Sequence, residues 1–210
     1  AQHLINETGA VRCFDTDQEN TTFAHYAALS VRHVALADQS RLINPKKFDV
    51  LMETLLTEEG NFVIDTGANT FSNLLAYMVE NEVFPLLRQA RKATYVHTIV
   101  GGGDTLADTA NGFYAIAQKV GGARIVLWFN EHFGEIKTAE GKPFTETQAY
   151  RQSAARLTGT AQRAWRERWR DGAGGARVRY ADRAGRDHVG LLVREGEDEV
   201  NPNPPWMCTD

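Results

Sequence analysis

Short apolar runs of strand length alternate with segments of helical periodicity over the first 130 residues of the chain. Apolar runs lie at residues 11–14, 62–64, 93–100 and 124–129. Parallel strands cannot be joined by a tight turn and need a long crossover, which is usually a helix. The alternation therefore predicts an α/β fold, built on a parallel sheet with helices on both faces.

The helical segments are delimited by ordinary start and stop signals. Asn44 followed by Pro45 suits the start of a helix, and apolar residues then recur at helical spacing up to Gly60. The same spacing predicts helices over residues 74–79, 83–91 and 105–120, with a short helix at residues 23–29. Residues 31–36 alternate in the manner of an edge strand.

The first nine residues are typical of the last turns of a helix, with Gly9 as its stop. A strand follows directly. We therefore expect the chain to begin inside the first helix of a longer βαβ unit. The alternative is a short helix that naturally begins the protein.

Acidic residues follow two of the predicted strands at their carboxyl ends, the edge of a parallel sheet where ligands sit. Asp15 and Asp17 follow one strand, and Asp65 leaves another with Gly67 close behind. Carboxylates suit Mg²⁺, which binds one or two of them beside waters and phosphates, and glycine permits close approach to a phosphate. Alternatively, each aspartate only forms a turn through its side chain.

Several stretches carry a resemblance to a known group. The run CFDTDQEN at residues 13–20 and the run FVIDTG at residues 62–67 resemble two segments of the deviant Walker A ATPases, the ParA/MinD group of P-loop proteins. More narrowly, four stretches resemble the TraL family of plasmid conjugal-transfer proteins. They are residues 62–71, residues 95–98 with Gly101 and Gly102, residues 108–113 and residues 126–130. The likeness covers residues 1–156, which we treat as one ParA/MinD-like domain.

The resemblance implies a set of ligands and roles. ATP and Mg²⁺ would be the cofactors, with Asp15 and Asp65 holding the metal through its waters. Asp17 would orient the attacking water, Gly67 would approach the γ-phosphate, and Asn130 would meet the adenine. The group also implies dimerisation around nucleotide.

The hallmark of that group is missing from the 210 residues. A glycine-rich loop with two lysines, GKGGxGK[ST], would precede the first helix, and nothing similar occurs. The three glycines at residues 101–103 do not replace it, because no Lys-[Ser/Thr] pair follows. We expect the fold to lack its first strand and P-loop here, and the chain as it stands not to be a competent ATPase.

Residues 157–210 differ in composition from the rest. Residues 1–150 carry six Lys and six Arg, whereas residues 151–210 carry eleven Arg and no Lys. The basic, Trp-containing run at residues 163–170 is the one candidate for contact with DNA phosphates, and its alternative is a solvated helix face. A third interpretation is a frameshift near residues 156–160, with residues 171–210 not folding as a family C-terminus.

Composition excludes several classes. The apolar runs fall far short of the roughly 20 residues of a membrane-spanning helix, and a net charge of −4 gives no overall attraction to nucleic acid. Cys13 and Cys208 have neither metal-site nor disulfide-framework spacing, so the cytoplasm is the expected location. His97 lies in an apolar strand and is predicted to be a core histidine.

The sequence thus predicts part of a nucleotide-dependent switch ATPase in plasmid conjugal transfer or partition, inactive alone, whose partners are conjugation or partition proteins. The alternative is a non-enzymatic binding module that keeps the fold without nucleotide hydrolysis. A third possibility is another α/β enzyme that uses the same aspartates on a different metal-bound substrate.

Overall fold

The computed structural model describes residues 1–38, 42–163 and 189–195 of the chain. Within these residues the helices are α1 Gln2–Thr8, α2 Phe48–Thr57, α3 Ala68–Glu80, α4 Val83–Gln89, α5 Leu106–Lys119 and α6 Gln148–Ala154. The strands are β1 Arg12–Asp15, β2 Arg32–His33, β3 Phe62–Thr66, β4 Lys92–Gly101, β5 Arg124–Asn130, β6 Leu157–Arg163 and β7 Val189–Glu195.

The seven strands form one mixed sheet in the order β2-β1-β3-β7-β4-β5-β6. Strand β1 is parallel to β2 and β3, and β5 is parallel to β4 and β6. Strand β7 lies between β3 and β4 and runs antiparallel to both. The predicted parallel α/β sheet is therefore confirmed for its five predicted strands. Strand β6 joins them in the same direction without having been predicted, and the central β7 runs the other way.

The larger core lies on one face of the sheet. Apolar residues of β1, β3, β4 and β5 that face this core alternate with residues that point to the other face of the sheet, as a pleated strand requires. Every second residue therefore packs against α2, α3, α4 and α5. The predicted helical spacing of α2 is confirmed by its buried residues, which are Phe48, Leu51, Met52 and Leu55.

Helix α1 packs on the opposite face of the sheet. Leu4 is buried against Tyr95, Val126 and Leu192, one residue from each of three neighbouring strands. The helix ends as predicted at Gly9, whose φ of 79° is readily adopted by glycine. Helices thus lie on both faces.

Three predicted elements need correction. The short helix expected at residues 23–29 is instead two 3₁₀ turns, Phe23–His25 and Ala27–Leu29. The edge strand expected at residues 31–36 contains only Arg32–His33, although it does lie at the sheet edge beside β1. The helix expected at residues 74–79 begins earlier, at Ala68, directly after the loop that carries Gly67. The helix start at Asn44 is confirmed, because its side chain accepts a hydrogen bond from the backbone N–H of Lys46.

Of the arginine-rich segment 157–210, the structure describes strands β6 and β7. Most of the basic run at residues 163–170 lies outside the described residues, as do residues 171–188 and 196–210. The frameshift hypothesis stays a prediction. No helix in the described part of the chain has the length and apolar character to cross a membrane.

Candidate functional site at the carboxyl ends of the strands

Two predicted site carboxylates lie side by side on neighbouring strands. Asp15 and Asp65 are register partners at the carboxyl ends of β1 and β3, about 4.8 Å apart at the backbone. Phe14 and Ile64, one residue earlier, both belong to the larger core. Strand alternation therefore places both carboxylates on the α1 face of the sheet.

The Asp15 side chain is completely buried and organises the turn that follows it. One carboxylate oxygen accepts the backbone N–H of Asp17 at 3.0 Å, and the other accepts that of Ala24 at 2.9 Å. A carboxylate oxygen has two lone pairs, so each retains capacity toward a further donor. The turn contacts therefore leave acceptor capacity on Asp15, although its side chain is closed to solvent.

The Asp17 side chain is held just as closely. Its Oδ1 accepts the backbone N–H groups of Glu19 and Asn20 at 2.9 and 3.1 Å, and the residue is 7% exposed. The carboxylate also lies against Gly67, where an added Cβ would come within 2.7 Å of the Asp17 Cγ atom. Asp17 thus sits at the start of α3, where the helix dipole favours negative charge.

Thr16 joins the two strand ends between these aspartates. Its backbone N–H and its hydroxyl both donate to the carbonyl oxygen of Asp65, at 2.9 and 2.8 Å. This double contact continues the pairing of β1 with β3 one residue beyond the end of β1. It fixes the backbone of Asp65 relative to the turn that carries Asp17.

The turn is held on its other side by Gln18, which sequence reasoning missed. Its side chain makes four hydrogen bonds to backbone groups of residues 16 and 34–37. No local pattern reveals this contact, because the partners lie up to 19 residues away in the chain.

The aspartates do not form a chelating cluster. Across residues 1–38, 42–163 and 189–195, no three His, Cys, Asp or Glu side chains come close enough to hold one metal ion. The donor set nevertheless fits Mg²⁺, which usually keeps several waters and uses only one or two protein carboxylates. Asp15 and Asp65 are the carboxylates to which the family resemblance assigns such an ion, and that assignment stays a prediction.

Asn130 lies apart from the aspartates, at the carboxyl end of β5. Three strand positions separate β3 from β5, a distance of about 14 Å across the sheet. The Asn130 Oδ1 atom accepts the backbone N–H of His132 at 3.1 Å, which fixes the orientation of the side-chain amide. The same sheet edge therefore carries both groups without bringing them into contact.

Of the three glycines at residues 101–103, Gly102 and Gly103 pack against backbone, and Gly101 packs against the Thr105 side chain. The carbonyl oxygen of Gly134 would lie 1.9 Å from a Cβ on Gly102, and that of Phe133 would lie 2.3 Å from one on Gly103. Gly103 also donates its N–H to Glu135. This close approach explains the glycines structurally and supports the prediction that they do not replace a P-loop.

His97 lies on the α1 face of β4 and pairs with Trp128 of β5. The indole Nε1–H of Trp128 donates to the Nδ1 atom of His97 at 3.0 Å, and the rings stack. Burial lowers the pKa of His97 to about 4, so the ring is neutral. The prediction of a core histidine agrees with this environment.

The comparisons with known proteins agree with the narrower resemblance. Two proteins of Escherichia coli, each named Protein TraL, are 38% and 36% identical to the chain over 163 residues. The match spans 77% of this chain and 67% of each relative. No family model and no solved structure matches the chain. On the strength of these relatives, the chain belongs to the TraL family.

Proposed function

We propose that the chain carries the magnesium-binding strand ends of a ParA/MinD-like switch ATPase that acts in plasmid conjugal transfer or partition. The observation that supports this most is the pairing of Asp15 with Asp65 at the carboxyl ends of adjacent parallel strands. In a parallel sheet this edge is where ligands bind. The conjugal setting rests on the resemblance to TraL proteins.

Four residues would have separate roles around the metal and the phosphate. Asp15 and Asp65 would hold the waters of a hydrated Mg²⁺, and that ion, when bound, would neutralise charge on phosphate oxygens. Together with a P-loop, Asp17 would orient the attacking water, since its carboxylate is already fixed by two backbone N–H groups. The backbone of Gly67, at the start of α3, approaches the phosphate.

Asn130 would contact the adenine at the far end of the nucleotide. Its Oδ1 accepts the backbone N–H of His132, so its amide N–H groups are the ones that would donate to a base. The separation of about 14 Å between β3 and β5 suits a ligand that spans the sheet edge. Dimerisation around nucleotide and contact with conjugation or partition proteins complete the proposal.

Phosphoryl transfer needs more than these residues provide. Its main contributions are a backbone cradle and a lysine on the phosphates, and the 210 residues contain no GKGGxGK[ST] loop. We therefore propose that this chain binds the metal without turning over ATP. The same absence supports the alternative, a non-enzymatic binding module that keeps the fold.

A metal-binding measurement distinguishes the proposed magnesium site from the alternative, a binding module without nucleotide chemistry. We expect the chain to bind Mn²⁺, measured as enhanced water proton relaxation, and to release it on addition of Mg²⁺. Asp65→Asn should weaken binding, since it removes one carboxylate of the pair. Glu58→Gln is the matched control, because it removes the same charge beside Arg12 at the amino edge of the sheet.

The outcomes are distinct. Binding that weakens in Asp65→Asn and not in Glu58→Gln supports the metal site. Equal weakening in both variants would mean that general charge, rather than the strand-end pair, attracts the ion. No Mn²⁺ binding by the unaltered chain, with or without ATP, would refute the proposal and leave the binding module.

A further inference from the structure

We infer that Gln18 positions the Asp15–Asp17 turn for the metal site, an inference that rests on the proposed function. Gln18 touches neither the Asp15 nor the Asp17 carboxylate in the hydrogen bonds described. It acts instead on the backbone around them. It is therefore a positioning residue rather than a catalytic one.

The Gln18 side chain uses its full hydrogen-bonding capacity. Its Nε2 donates to the carbonyl oxygens of Thr16 and Val34, both at 2.9 Å. Its Oε1 accepts the backbone N–H groups of Leu36 and Ala37 at 2.8 and 3.1 Å. A primary amide offers two donors and two acceptor lone pairs, and here each has a backbone partner.

These bonds replace a missing strand ladder. Strand β2 ends at His33, and the last backbone contact to β1 is the Val34 N–H on the Asp15 carbonyl at 2.8 Å. Beyond that point the Gln18 amide continues the connection, because it joins the 34–37 segment to the carbonyl of Thr16. The backbone on both sides of Asp17 is thereby fastened to one side chain.

The geometry of Asp17 depends on that fastening. Its carboxylate can accept the N–H groups of Glu19 and Asn20 only while the turn keeps its shape. Without Gln18, the turn keeps the hydrogen bonds of Thr16 to Asp65 and of the Val34 N–H to the Asp15 carbonyl. It loses the four hydrogen bonds of the Gln18 amide. We expect the turn to persist but Asp17 to sample other positions.

Two substitutions distinguish positioning from charge. Gln18→Ala removes all four hydrogen bonds. Gln18→Glu keeps an acceptor for Leu36 and Ala37 but loses both donors and places a carboxylate beside two carbonyl oxygens. If Mn²⁺ binding depended only on the charge near the site, Gln18→Glu would bind Mn²⁺ more tightly. If Gln18 positions the turn, the same variant binds Mn²⁺ more weakly.

The control is Lys92→Met, which breaks side-chain contacts to backbone carbonyls at the opposite edge of the sheet. It tests whether a general loss of protein stability is enough to lower the affinity for Mn²⁺. Removing a residue that orients metal ligands commonly costs 10- to 100-fold in affinity. We expect both Gln18 variants to lose about tenfold in Mn²⁺ affinity, and Lys92→Met to lose none.

Amide hydrogen exchange provides a readout that needs no metal. In Gln18→Ala we expect faster exchange at Leu36 and Ala37, which lose their acceptor, and also at Glu19 and Asn20, which depend on Asp17. Exchange at Ile64 in β3 should stay as in the unaltered chain, since its strand is unaffected.

Each result decides something. Unchanged exchange at Glu19 and Asn20, or Mn²⁺ affinity equal to that of the unaltered chain, would overturn the positioning role. Tighter binding in Gln18→Glu would overturn it in favour of charge. If the unaltered chain binds no Mn²⁺, the proposed function fails, and exchange at Glu19 and Asn20 still decides whether Gln18 holds the turn.

Discussion

The contact between Gly67 and Asp17 gives the sharpest test of the site. Gly67 has φ −76° and ψ 163°, a conformation that any residue adopts, so Gly67→Ala introduces no backbone strain. Its new Cβ would nevertheless lie 2.7 Å from Cγ and Oδ1 and 2.8 Å from Oδ2 of Asp17. The carboxylate must move, and moving it breaks at least one of its two bonds to the N–H groups of Glu19 and Asn20.

The magnitude follows from those bonds. A hydrogen bond to a charged group contributes about 1.5–3 kcal/mol, and replacing Gly by Ala recovers about 0.4–1 kcal/mol from the unfolded chain. Loss of one Asp17 bond therefore leaves a net destabilisation of about 1–2 kcal/mol. For a chain of this size that lowers Tm by about 2–8 °C.

Thermal and urea unfolding of four proteins measure the effect as a double-mutant cycle: the unaltered chain, Gly67→Ala, Asp17→Ala and the double variant. Once Asp17 is gone, Gly67→Ala should be neutral or slightly stabilising. Gly112→Ala is the control, because Gly112 lies within α5 with nothing within 4 Å of an added Cβ. It should stabilise by about 0.5–1 kcal/mol. An equal loss from Gly67→Ala with and without Asp17 would refute the reasoning.

Three other perturbations test the structure away from Asp17. Lys92→Met removes the buried ammonium that donates to the Leu55 carbonyl at the end of α2, and urea unfolding should show a loss of about 2 kcal/mol; no loss would contradict that contact. The pKa of His97 is lowered to about 4. The stability that the folded protein gains from burying the neutral ring is therefore fully present above pH 6.5 and is lost as the pH falls toward 4. Unfolding at pH 5 should therefore give a free energy about 2 kcal/mol below that at pH 7, and a His97→Gln variant with the same pH dependence would exclude this cause. Gly102→Ala meets the Gly134 carbonyl at 1.9 Å, so calorimetry should show a loss of about 3 kcal/mol, and an unchanged Tm would contradict the close approach.

Local patterns predicted the elements well where a single face decides burial. The spacing of Phe48, Leu51, Met52 and Leu55 identified α2, because four apolar residues on one side of a helix leave little choice of orientation. The paired aspartates were predicted for a similar reason. Each follows an apolar strand, and parallel strands present their carboxyl ends at a common edge.

Features that depend on distant backbone escaped prediction. The strand expected at residues 31–36 stops at His33, because the Gln18 side chain supplies the next hydrogen bonds in place of β1. The position of β7 in the sheet also could not be predicted from local sequence. Its apolar residues suit a strand, but nothing local determines that it lies between β3 and β4 or that it runs antiparallel to both.

The central position of β7 bears on how the chain folds during synthesis. Strands β3 and β4 are not neighbours in the described sheet, and each completes its hydrogen bonding on β7, the last described strand to leave the ribosome. Without β7, the strand order of the finished sheet leaves two half-sheets, β2-β1-β3 and β4-β5-β6, each with an open inner edge. Open strand edges attract other chains, so nascent chains that stall before β7 should be the species that needs chaperone protection.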